Sequence, residues 1–337
     1  MRELLITLPD DFHVHLRQGP ALAAYSRRSA EHFGRVLVMP NVVPPLSSAR
    51  AMDDYRRSAE AHLAASGSGT RMLPTFKLVP GMGAEAVRAC ALAGAVAGKY
   101  YPAGSTTNAA DGVPDPDSVQ GELAAMEAAG VVLSVHAEDP GALVLEREEA
   151  FLPVLDRIVN SYPGLKVVME HLSTAAAVDA VRSWPARVGA TITAHHLAFT
   201  LDDILGERLQ PGFFCKPVLK VERDRTALVE AAISGSPKFF FGSDSAPHPP
   251  EAKRSGAAGC YSSPVAMPLL AGLFDQAGAL GALEAFCAMN GARFYGLAAN
   301  SGKLRLWEES WTVPAELDGV EPLAAGRVLA WRAGRVP

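Results

Sequence analysis

Cysteine is scarce: Cys90, Cys215, Cys260 and Cys287 are the four in 337 residues, widely separated and with no CxxC pair. That excludes a disulfide framework of the kind that staples small secreted domains, and free thiols in a reducing compartment are expected. Clustered positive charge is missing as well. Lys+Arg total 31 against 36 Asp+Glu, a formal net charge of −5, whereas nucleic acid or an anionic membrane surface requires a basic stripe. Neither is expected as a partner. Long hydrophobic runs are also lacking: the longest uncharged stretch, Ser255 to Phe274, is broken by Pro264 and Pro268 and does not read as a membrane span. The N-terminal MRELLITLPDD turns acidic after one short apolar run. It carries no signal-peptide core or small-residue cleavage site, so a cytoplasmic location is expected.

The chain is 49% apolar and 20% charged, a balance that supports a folded core and not disorder. At this length about three quarters of the unfolded surface can be buried, so folding needs no disulfide or structural metal. Short apolar, β-rich runs recur: FHVHL (12–16), RVLVMP (35–40), RMLPTFKLV (71–79), AVAGKYYP (95–102), VVLSVHAE (131–138), LKVVMEH (165–171), VGATITAHH (188–196) and KFFFGSD (238–244). Between them lie helix-forming stretches such as ARAMDDYRRSAEAHLAA, AEAVRACALAG, DSVQGELAAMEAAG and RTALVEAAISG. Near-continuous apolar strands alternating with helices indicate a parallel sheet covered on both faces. Eight such runs favour an α/β fold of the (β/α)₈ TIM-barrel type over an open doubly wound sheet. Length alone allows about two domains. The barrel reading makes residues 1–337 one domain, with a core over about 10–290 and a C-terminal extension over about 291–337 packed on it.

In such a barrel the chemistry sits where the strands end. The first run ends in His13-Val14-His15, and residues i and i+2 of a strand project to one side. Alone, this pair serves equally as two hydrogen-bonded histidines or as two metal ligands. Run five ends at His136, run six at His171 and run eight at Asp244, while run four carries Lys99 within an apolar strand. Each has an ordinary structural reading: core histidine, helix cap, or a lysine reaching out to solvent. Their joint placement at strand ends favours a metal site. Nitrogen and oxygen donors without thiolate suit Zn²⁺, with Mn²⁺ or Co²⁺ also compatible. Four His and one Asp exceed what one catalytic zinc needs, which suggests two ions about 3.5–4 Å apart. An ammonium has no lone pair, so Lys99 could join such a site only after conversion to an anionic ligand, for which a carbamate is the simplest route.

Together these residues resemble the amidohydrolase superfamily. Longer segments are similar to its dihydroorotase family in the short bacterial form: DDFHVHLRQG (10–19), RVLVMPNVVPP (35–45), GKYYPAGSTTNAADGV (98–113), VVMEHLSTAAAVDAV (167–181), ATITAHHL (190–197), GSDSAPH (242–248), AAGCYSSP (257–264) and AFCAMNGARFYGL (285–297). They span nearly the whole chain in family order. The resemblance implies reversible, zinc-dependent cyclisation of N-carbamoyl-L-aspartate to L-dihydroorotate, a step of pyrimidine biosynthesis. It implies that His13, His15 and Asp244 bind the more buried zinc, His136 and His171 the second, and N6-carboxylated Lys99 bridges the two. A hydroxide between the ions would be the nucleophile, and Asp244 the general acid/base. Arg17, Asn41 and His248 would hold the substrate carboxylate. Ala258 would contact substrate through its backbone, and Thr106 and Thr107 would belong to a mobile loop closing over it. A homodimer is the family expectation.

This sequence departs from the family at three places. Lys216, in CKPVLK, stands where relatives carry an apolar residue and adds a cation beside the substrate. The segment from His248 to Ala258 is short for the family. His195 and His196 end run seven without an assigned role. The remaining histidines, His32 and His62, read as surface. Two rivals are a cyclic-amide hydrolase of the dihydropyrimidinase, hydantoinase or allantoinase kind, and a non-catalytic homologue. The first needs no carboxylate clamp, and the second usually loses metal ligands that are all present here.

Overall fold

The computed structural model describes residues 2–336. Its strands are β1 (Glu3–Thr7), β2 (Asp10–Val14), β3 (Arg35–Val38), β4 (Arg71–Leu73), β5 (Thr75–Lys77), β6 (Ala97–Tyr100), β7 (Val132–Val135), β8 (Val167–Met169), β9 (Val188–Ile192), β10 (Phe239–Phe241), β11 (Lys303–Thr312) and β12 (Val328–Arg335). Two parallel arrays, β2-β3-β4 and β5 through β10 in sequence order, make the central sheet. β4 and β5 are one stretch of chain interrupted by Pro74, which has no N–H for the ladder. Taken as one, they give the eight strand positions expected from the apolar runs.

The ends of the sheet meet. A parallel bridge joins Val14 to Ser245, with Asp244 N donating to His13 O at 2.8 Å and His15 N to Ser245 O at 2.9 Å. The barrel is thereby closed. Its strands are buried along their length, as β7 and β9 are at every position, because helices cover the outside. These include Ala49–Ala65, Gly83–Leu92, Gln120–Ala129 and Glu222–Ile233, where the sequence places helix formers. Inside, Phe12, Leu37, Leu73, Ala97, Val132, Val168 and Phe240 form an apolar plug. The register of β2 against β3 shifts between Asp11 and Val14. A bulge of this kind re-aims side chains, and Phe12 joins the plug while the histidines on either side of Val14 face the mouth above it.

β1 precedes the barrel and pairs antiparallel with β11, which pairs with β12. The apolar runs used above begin at residue 12 and miss this strand. The foot of β2 is tied to the same region: Asp10, fully buried, accepts from Arg35 Nη2 at 2.6 Å, Arg35 Nε at 2.9 Å and Asn300 Nδ2 at 2.8 Å. One expectation fails outright. His32 is buried, packed beside Phe33, and burial lowers its pKa to about 4. It lies on the inner face of the helix Pro20–His32, with Leu22, Tyr25, Ser26, Ser29 and Ala30. All four cysteines are free and buried. Among the described residues no helix is long and apolar enough to cross a membrane.

Removing Arg35 strands the Asp10 charge in the interior. Arg35→Ala should lower the unfolding free energy by about 3–5 kcal/mol, read from the shift of the urea midpoint. A loss below about 1 kcal/mol would mean that Asn300 alone sustains the carboxylate.

Candidate active site at the mouth of the barrel

The carboxylate of Asp11 accepts from His13 N at 3.1 Å, Ser243 N at 2.8 Å and Ser243 Oγ at 2.5 Å. It therefore locks the first strand to the segment after the last and brings His13 and His15 against Asp244. Asp244 Oδ1 lies 3.3 Å from His13 Nε2 and 3.2 Å from His15 Nε2, and the three ligand atoms lie within 4.8 Å of one another. Asp244 (φ 41°), His171 (φ 43°) and Arg17 (φ 63°) all occupy the left-handed region. Non-glycine residues rarely adopt it, and such strain concentrates at functional sites.

Two further carboxylates fix which nitrogen each ring presents. Glu170 Oε2 lies 2.8 Å from His13 Nδ1 and accepts from Thr191 Oγ1 at 2.6 Å, while the Ser134 hydroxyl holds its other oxygen. An ionised carboxylate only accepts, so His13 Nδ1 carries the proton and Nε2 offers a lone pair. Glu138 Oε2 does the same at His136 Nε2, at 2.9 Å. That turns His136 Nδ1 toward His171 Nε2, 3.1 Å away. The His13 and His171 ring centres are 5.0 Å apart, and those of His136 and His171 are 4.8 Å apart. The two groups are thus contiguous.

Buried atoms without hydrogen-bond partners include His13 Nε2, His171 Nδ1 and Lys99 Nζ. Leaving such groups unpaired costs about 1–3 kcal/mol each, and more for a charge. Lys99 is fully buried on β6, its ammonium 5.3 Å from the centre of the Tyr101 ring, and burial lowers its pKa to about 8. Asp244 is buried with Oδ1 against the Nε2 atoms of His13 and His15. Convergent imidazole nitrogens, an ionised carboxylate and unsatisfied polar atoms fit a divalent cation of the zinc type.

The other side of the cavity is cationic. Arg17 Nε donates to Pro247 O at 3.0 Å, and its Nη2 lies 2.9 Å from His248 Nε2. The same His248 nitrogen lies 3.0 Å from Ala258 O. One neutral nitrogen cannot accept from Arg17 and donate to Ala258 at once. An anionic acceptor between Arg17 and His248 relieves that conflict. Burial, then Arg17, lowers the His248 pKa to about 4. Asn41 Nδ2 donates to Thr107 O at 3.3 Å, and Asn108 Nδ2 to Asn41 O at 2.9 Å. Lys77, paired with Asp111, holds Asn108 O at 2.7 Å. Thr106 and Thr107 lie over the cavity, and Lys216 and Ala258 form its wall.

Every site residue expected from the sequence lines this one cavity except Lys99, which lies buried beneath it. His195 and His196 are buried and do not line it. Tyr101 lines the cavity and was not anticipated, nor were Asp11, Glu138 and Glu170. The signal for the three carboxylates was adjacency, each standing one or two residues from a strand-end histidine, while Tyr101 stands two residues from Lys99.

No family model matches the chain. A dihydroorotase of Azoarcus sp. (strain BH72) is 44% identical over 343 residues, covering 98% of this chain and 99% of the relative. A dihydroorotase of Cupriavidus necator is 45% identical, with 98% and 99% covered. The crystal structure of dihydroorotase from Saccharomyces cerevisiae in complex with 5-fluoroorotic acid matches with a TM-score of 0.93 at 33% identity, covering 100% of each chain. L-Hydantoinase from Arthrobacter aurescens matches with a TM-score of 0.82 at 20% identity, over 99% of this chain and 83% of that one. At that identity the last likeness shows the barrel fold alone.

Because Glu170 sets the tautomer and basicity of His13, Glu170→Gln should weaken divalent-ion affinity by about 10–100-fold. Competition with a chromophoric chelator measures this directly. Unchanged affinity would reduce Glu170 to a packing role.

Proposed function

The chain belongs to the dihydroorotase family, and on that premise we propose that it interconverts N-carbamoyl-L-aspartate and L-dihydroorotate as a metal-dependent hydrolase of pyrimidine biosynthesis. The observation that carries this reading is the two-sided cavity: a cluster of metal-type donors faces the Arg17 cation and a neutral His248, a pair able to hold a carboxylate. The yeast relative's complex with 5-fluoroorotic acid, a pyrimidine bearing a carboxylate, supports the same division.

His13, His15 and Asp244 would hold one zinc ion, His136 and His171 a second, and Lys99, carboxylated at Nζ, would bridge them. Bound there, the ions supply Lewis-acid polarisation of the scissile carbonyl and activation of water. Arg17 and His248, 2.9 Å apart, clasp the substrate carboxylate with Asn41, and that fixes the ring relative to the donors. Ala258 contacts the ring through its backbone, and Lys216 adds positive charge on the same wall. In the hydrolytic direction the attacking oxygen bonds to the ring carbonyl carbon and the C–N bond breaks. Asp244 takes the proton from the attacking water and delivers it to the departing nitrogen. Glu170 and Glu138 keep the His13 and His136 rings oriented throughout. Thr106 and Thr107 shield the reacting centre from bulk water. The reading also takes residues 1–337 as one barrel domain with a C-terminal extension, acting in the cytoplasm as a homodimer.

The hydantoinase likeness makes a second cyclic amide the natural control. Turnover of dihydroorotate should far exceed that of dihydrouracil or hydantoin, because neither alternative carries a carboxylate. Arg17→Ala should raise KM for dihydroorotate about 10–100-fold, the equivalent of one charge-assisted hydrogen-bond pair. Faster turnover of hydantoin, or an unmoved KM, would overturn the assignment. Lys99→Ala should lose at least one metal equivalent and nearly all activity, with partial rescue by a short carboxylic acid. Full activity in that variant would end the bridging role.

A further inference from the structure

His195, His196 and Cys215 form a second group of potential ligands, their donor atoms within 4.8 Å of one another and all three residues buried. The group is separate from the cavity described above. Lys216 and Gly259 face that cavity, whereas their chain neighbours Cys215 and Cys260 belong to an apolar cluster with Phe199, Phe213 and Leu219. Gly259 N donates to Phe214 O at 2.9 Å, which brings the two cysteine-bearing segments side by side.

His195 is fully buried, and neither of its ring nitrogens has a hydrogen-bond partner. One nitrogen of a neutral imidazole carries a proton and the other a lone pair, so both are left unsatisfied in an apolar setting. Its ring centre is 4.7 Å from that of His196. His196 Nε2 lies 3.0 Å from Pro217 O, and the Cys215 thiol donates to the same oxygen at 3.1 Å. A carbonyl only accepts, so His196 carries its proton on Nε2, and two protonated donors converge on one point. A dication can take the place of such a pair of protons. The Cys260 thiol donates to Gly212 O at 3.5 Å and adjoins the Cys215 thiol, whose pKa it raises together with burial. Lys253, buried beside both thiols, donates to Phe214 O and Gly259 O, each at 2.8 Å.

We propose that His195, His196, Cys215 and Cys260 form a closed, structural zinc-type site behind the substrate wall. Two imidazoles and two thiolates are a common tetrahedral set for such sites. Two thiolates cancel the charge of one dication, so the filled site is neutral within its apolar cluster. The proton balance closes. Cys215 and Cys260 each release one proton to solvent. His196 shifts its ring proton from Nε2 to Nδ1, which then donates to Thr193 Oγ1, 2.8 Å away. His195 binds through its bare nitrogen. Because the site is buried, the ion enters during folding and braces the wall that carries Lys216 and Ala258.

The test exploits a difference in donor chemistry. The cavity at the barrel mouth offers nitrogen and oxygen ligands only, so a thiolate-to-cobalt charge-transfer band in the near ultraviolet must come from the second site. Protein produced in cobalt-supplemented medium should show this band, with one metal equivalent beyond those lost in Lys99→Ala. Cys215→Ser should abolish the band, and His195→Gln should abolish or strongly diminish it. Lys99→Ala should leave it intact. Should Cys215→Ser fail to fold, the wild-type spectrum and His195→Gln decide. Absence of the band from the wild type, or its persistence in folded His195→Gln and Cys215→Ser proteins, overturns the proposal whatever the catalytic result.

Discussion

The seam between the first and last barrel strands is the constraint on which the site depends. Asp11 makes it, accepting from His13 N on one strand and from the backbone and hydroxyl of Ser243 beyond the other. Burial pushes this carboxyl up to about 6 despite the donors from Ser243 and His13, so its position is held against a real desolvation penalty. Closing the barrel turns residues far apart in sequence into neighbours. His13 and Asp244 meet only because β2 and the segment after β10 are joined, and the strain at Asp244 is sustained by the same joint.

Above that seam the cavity is electrically divided. On one side Asp244 faces imidazole nitrogens left bare because Glu170 and Glu138 hold the opposite nitrogens of His13 and His136, an arrangement that attracts a cation. On the other, Arg17 and Lys216 stand with a His248 kept neutral by burial, an arrangement that attracts an anion. A substrate carrying a carboxylate next to a cyclic amide has the matching polarity. Hydrogen bonds fix both sides, so little reorganisation is left for the moment of reaction. The loop over 103–113 is held in the same way: Asn41, Asn108 and Lys77 knit it to the strand ends.

Much of this was legible in the sequence, for a physical reason. Parallel barrel strands are buried on both faces, so they stand out as apolar runs, and a polar residue at the end of one is conspicuous. That is why His13, His15, His136, His171, Lys99 and Asp244 could be picked out and why they converge. What was not legible depends on contacts between distant segments. Glu170 looked like an ordinary acidic residue before His171 until the fold brought it to His13 Nδ1. The N-terminal strand ELLIT reads as a short apolar run whose partner, Lys303–Thr312, lies at the other end of the chain. His32 was misread because a helix made mostly of polar and small residues gives little sign of which face is buried.

The same reasoning bears on His195 and His196, which ended an apolar run as conspicuously as the other strand-end histidines yet do not reach the cavity. Their strand, β9, is followed directly by Thr193, whose hydroxyl accepts from His196 N and caps a short helix. Beyond that cap both histidines stay out of the cavity and group with Cys215. The strand-end rule therefore located polar residues correctly but could not tell which side of the wall they serve. A cap of one hydroxyl decides it, and with it whether a histidine meets nitrogen and oxygen donors or sulfur.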